Sequence, residues 1–64
     1  MTKVEKLKKQ ILAVRDSGKV NMLDTRGVQW VANSMGFYDL VTFIEFDRHG
    51  YASFIMSGND MYLS

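Results

Sequence analysis

The chain has 64 residues, 47% of them hydrophobic and 23% charged, with no cysteine and a formal net charge of +1. That length sets a single domain, 1–64, and the apolar share is too high for a disordered tail. Disulfides are excluded, and a zinc site nearly so, because there is no thiol and only one histidine, His49.

The first element opens in "MTKVEKLKKQ", which has lysines but no apolar stretch behind them, so it does not read as a secretory signal. Val4, Leu7, Ile11 and Val14 fall on one side of a helix expected over about 2–17. Glu5 can pair with Lys9 one turn on, and Leu12 lies off the stripe. Up to Asp16 the formal charge is +3, and from Ser17 onward it is −2. The basic end suits phosphate or an acidic protein face; its plain alternative is a solvated helix face.

"SGKVNMLD" follows. Gly18 suits the left-handed position just past a helix end. Asp24 is the expected N-cap of a second helix over about 25–35, which places Leu23 and Val28 at the spacing of a hydrophobic staple. Met22 is expected to plug the gap between helices, and Asn21 to bond local backbone. Val28, Val31, Ala32 and Met35 form the buried stripe, and Gly36 closes the helix. Trp30 points roughly the opposite way, one turn above Arg26.

From Phe37 a third stripe runs through Leu40, Val41, Ile44, Tyr51 and Ile55, beside an offset one of Phe43, Phe46 and Phe54. We expect helix over 38–57 with a break at 49–50, where Gly50 weakens a helix interior and "DRHG" reads as a helix end that suits His49. A strand at "YASFIM" is the competing assignment, but it would have no strong second strand to pair with. Gly58 ends the last helix; "NDMYLS" is a fraying tail unless Met61, Tyr62 and Leu63 dock. The expected fold is all-α, a bundle of three to four short helices, superficially helix-turn-helix-like.

The chemistry is sparse. A nucleophile–base–orienter set needs a histidine beside a hydroxyl or thiol, and the one histidine is expected to be a surface or helix-capping residue. Glu45 and Asp47 point apart on a helix, and no phosphate loop, dinucleotide fingerprint or zincin motif occurs. No catalytic residue, metal site or cofactor is expected. Ala32 and Gly36 have helix-turn-helix spacing, but the following helix offers Asp39, Glu45 and Asp47 where base and phosphate contacts require cations. A DNA-binding alternative therefore rests on Lys3, Lys6 and Lys9, which touch phosphate without reading bases. Trp30, Arg26, Phe43 and Phe46 are the candidate partner-binding residues: Trp and Arg are enriched in interface hot spots, and two apolar stripes are hard to hide in one helical layer. The alternative packs all of them within the monomer, with Leu12 covering Trp30. No run approaches a membrane span.

"ILAVRDSGKVNMLD…VQWVANSMGFYDLVTFIE…YASFIMSG" resembles a short family of unknown function associated with bacteriophages and low-GC Gram-positive bacteria. Ile11, Arg15, Ser17, Gly18, Asn21, Met22, Asp24, Val28, Ala32, Gly36, Leu40, Tyr51 and Gly58 carry the likeness, with "SGKVNMLD" its most distinctive block. The resemblance implies a compact helical unit from a mobile element; with no signal-like or membrane-length run in the sequence, the expected place is the cytoplasm of a bacterial host. It carries no activity, and it favours binding to a host or phage protein, as an inhibitor of host defence or replication in its sharper form. Self-association is a further expectation.

Overall fold

A computed structural model describes residues 2–64; residue 1 of the expected domain lies outside them. The described residues form four α-helices and a terminal 3-10 turn, with no strand: α1 (Lys3–Ser17), α2 (Thr25–Ser34), α3 (Tyr38–Phe46), α4 (Arg48–Ser57) and the turn Asp60–Leu63. α2 packs on α3 and α3 on α4, while α1 packs on both α2 and α3. The terminal turn packs on α1 and α4 together. The all-α bundle is as expected, and residues 51–56 are helix.

Each helix begins on an oxygen acceptor for its otherwise orphaned N–H groups. Thr2 Oγ1 accepts from Glu5 N at 3.1 Å, and Asp24 Oδ1 accepts from Gly27 N at 3.1 Å. α3 has no local side-chain cap. Its Leu40 N–H donates instead to Gln10 Oε1, 3.0 Å away on α1 and buried. One buried glutamine thus replaces a cap and fixes α1 against α3.

The helix break falls at Asp47, ahead of the expected 49–50. Asp47 ends α3, its N–H donating to Phe43 O at 2.8 Å. It also starts α4, with Oδ1 accepting from Gly50 N at 2.9 Å. Gly50 is therefore a first-turn residue, and a Cβ there would run into the Asp47 carboxylate. The same arrangement opens α2, where a Cβ on Gly27 would meet Asp24 Oδ2 at 2.7 Å. "DTRG" and "DRHG" are one device used twice: an aspartate caps the backbone N–H of a glycine three residues on, and its carboxylate lies where that glycine's Cβ would be. His49 accordingly lies in the first turn of α4 rather than at a helix C-terminus. The dipole of a helix C-terminus therefore does not account for its position.

Helix ends follow the glycines. Gly18 and Gly58 take φ of 66° and 72°, and Gly36 closes α2 with Phe37 N donating to Ala32 O at 2.8 Å. The core is Leu7, Ile11, Val14, Val28, Val31, Ala32, Leu40, Ile44, Tyr51, Phe54 and Leu63. Two expected core positions stay out: Met35, at the α2 C-cap, and Leu23 are exposed. Leu23, at 54% exposure, does not act as a buried staple. Met22 does pack against the core, and its carbonyl accepts from the buried Tyr51 hydroxyl at 2.7 Å. Phe54 belongs to the core rather than to a second stripe. The tail is docked by Leu63, which is 2% exposed.

Candidate functional site

Every side chain on α2 that the core needs sits on one face: Val28, Val31 and Ala32 are buried. The opposite face carries Arg26 and Trp30, both exposed, with Trp30 at 75%. Gln29, between these faces, ties α2 to α3: its Nε2 donates to Val41 O and to Glu45 Oε2, each at 3.1 Å. The Trp30 face is therefore presented by a helix held in place on its flank. Leu12 does not cover Trp30; it lines a hollow elsewhere, beside Met22 and Phe54.

Phe43 and Phe46 come together at a different place. They line a hollow of about 230 Å³ with Lys3, Asp39 and Thr42, between the start of α1 and the outer side of α3. Phe43 is half-buried against the core, while Phe46 is 85% exposed. The four candidate partner-binding residues thus form two pairs, Arg26 with Trp30 and Phe43 with Phe46, because the two pairs stand on different helices.

The lysines of the DNA-binding alternative divide as well. Lys6 Nζ is 2.8 Å from Asp39 Oδ2. The contact cancels a charge on each side, since Asp39 stands at the start of α3. Glu5 and Lys9 do not form an ion pair; the pairs among the described residues are Lys6–Asp39, Lys8–Asp60 and Arg15–Asp16. Lys3 borders the phenylalanine hollow, and Lys9 is exposed. α3, where a reading helix would stand, carries acids engaged by Lys6 and Gln29.

Among the described residues no three His, Cys, Asp or Glu side chains gather as metal ligands. No described helix is long and apolar enough to cross a membrane. Burial pushes the Tyr51 phenol up to about 12, so it stays protonated and keeps donating to Met22 O. Sequence reasoning placed Tyr51 on the third stripe but missed its hydroxyl's bond to Met22 O, and it missed Gln10 altogether. Gln10 follows the Leu7–Ile11 stripe closely enough to have been placed on the buried side, but nothing local could show that it caps another helix.

The fold and its surfaces define a small all-α domain with a filled core and aromatic side chains left in solvent. Residues 1–59 match the family described as "Domain of unknown function (DUF5049)", and the chain belongs to that family. No curated protein and no solved structure matches it.

Proposed function

We propose that this domain is a non-catalytic protein-binding module that docks a partner on the outer face of α2. The exposure of Trp30 supports this reading: the core is complete without it, and Arg26 lies one turn away on the same side. A rigid indole beside a guanidinium is the kind of pair that dominates interface energetics once water is excluded around it. The partner is a protein of a bacterial host or of a phage, and the module works in the host cytoplasm, encoded by a phage or prophage. Its most specific form is an inhibitor of a host defence or replication protein. The resemblance noted in the sequence supports the origin and the inhibitory form.

The test immobilises the domain, exposes it to host-cell lysate, and compares wild type with Trp30→Ala. A hot-spot tryptophan is worth at least about 2 kcal/mol, roughly thirtyfold in affinity, so the captured protein should be lost from the variant. Equal recovery removes Trp30 from the interface. An electrophoretic shift that survives about 200 mM salt would favour a DNA-binding regulator instead. The exposed Phe46 is also proposed as a self-association contact. Sedimentation as a monomer at high concentration, unchanged by Phe46→Ser, would remove it.

A further inference from the structure

The terminal turn Asp60–Leu63 is joined to the helices chiefly by one side chain. Leu63 is buried where the turn packs on α1 and α4, while its neighbours Met61 and Tyr62 stay exposed. Asn59 N, Met61 N, Tyr62 N and Ser64 N all donate to acceptors inside residues 57–61. Undocking the segment therefore breaks none of these bonds. Lys8 Nζ reaches Asp60 at 3.2 Å, but this ion pair is exposed and solvent weakens it. At the other end Gly58 takes a φ of 72°, and a side chain there would meet nothing within 4 Å. Rotation about this glycine has no packed neighbour to displace.

We propose that residues 59–64 form a latch that swings about Gly58 as a unit while the four helices stay folded. One buried leucine and an exposed ion pair are set against the entropy of ordering the whole segment. That balance belongs to elements that open locally, at less cost than global unfolding. The structure holds the closed form; the open form is a minor state of about 0.1–10%. Opening bares the apolar seam between α1 and α4 that Leu63 fills. A hollow of about 260 Å³ with Leu12, Met22 and Ile55 on its walls borders the same segment. Lys8 lines that hollow and holds Asp60, and Gly58 lines it and begins the latch. An open latch lengthens the hollow by the seat of one leucine. The latch is separate from the Trp30–Arg26 face, and either reading stands or fails without the other.

The chain has no cysteine, so one introduced thiol reports its own exposure. Leu63→Cys is labelled with dithionitrobenzoate in rising urea, below the unfolding transition. Val28→Cys, at a fully buried position on α2, is the control. Without urea, Leu63→Cys should react at least about tenfold faster than Val28→Cys. Its rate should hardly change with urea, because opening the latch exposes little surface, whereas the control should climb steeply. Leu63→Asp holds the latch open. It should melt at a lower temperature yet keep the helical circular dichroism of wild type, with amide shifts confined to the latch, α1 and α4. Equal labelling rates with the same urea dependence overturn the proposal. So does loss of the helices in Leu63→Asp, which would make the tail part of the cooperative core.

Discussion

Ser17–Gly18 ends α1 and Ser57–Gly58 ends α4 by the same local chemistry. In each, the glycine is left-handed and the serine Oγ accepts from the residue two positions on, Lys19 at 3.3 Å and Asn59 at 3.1 Å. Then an asparagine Oδ1 accepts from the residue two beyond it, Leu23 at 2.9 Å and Met61 at 3.0 Å. The apolar residues that follow go different ways. In the connector Met22 turns inward, held through its backbone by Tyr51, and Leu23 stays out. In the tail Leu63 is engulfed while Met61 and Tyr62 remain exposed. Local hydrogen bonds set the path of each exit, and the helices facing that path choose which side chain enters.

The largest effect should come from the tail's one deep anchor. Leu63→Ala removes a fully buried side chain that joins α1 to α4, at a cost of about 2–5 kcal/mol. That is a large share of the stability of a chain this short, at roughly 0.05–0.15 kcal/mol per residue. Urea denaturation reads it directly; a change smaller than that of Met22→Ala would reverse the ranking of the two exits.

The connector's own anchor is polar and answers to pH. The Tyr51 phenol titrates near 10 when unfolded and at about 12 when folded. A raised folded value means the unfolded chain loses its proton first. The stabilisation is therefore complete below pH 10 and is lost as pH rises from 10 to about 12. The loss is on the order of 2–3 kcal/mol, seen as a falling denaturation midpoint. Tyr51→Phe should flatten this contribution while costing about 1 kcal/mol at neutral pH for the unpaired Met22 carbonyl. A variant with an unchanged alkaline slope would show that another group carries it.

Smaller effects test the shared chemistry itself. Gly18→Ala and Gly58→Ala each force a side chain into left-handed backbone at about 1–2 kcal/mol. Neither added Cβ would meet a neighbour, so their losses of melting temperature should be alike. A clear inequality would mean that the two exits are not equivalent. Leu23→Ala, at an exposed position, should stay within about 0.5 kcal/mol; a larger loss would restore the staple.

Much of this architecture was legible from neighbouring residues. Asp24, Gly18, Gly36 and Gly58 mark starts and stops through bonds that span only a few positions. Leu7, Ile11, Val28, Leu40 and Ile44 mark faces by spacing. Gly50 misleads because a glycine between two apolar stretches reads as a weak point inside a helix. It stands in the first turn of α4 with the Asp47 carboxylate over it, and "DTRG" earlier in the chain has the same pattern. The phenylalanine stripe misled because periodicity counts apolar residues on a face without knowing what stands opposite. Phe54 meets the core, and Phe46 meets solvent.

Caps and helix stops depend on donors and acceptors a turn apart, so the order of residues is enough to specify them. Burial depends on what arrives from thirty positions away. Gln10 finds Leu40 and Tyr51 finds Met22 only once the helices have packed. The same packing left Trp30 in solvent, outside the cluster of buried residues.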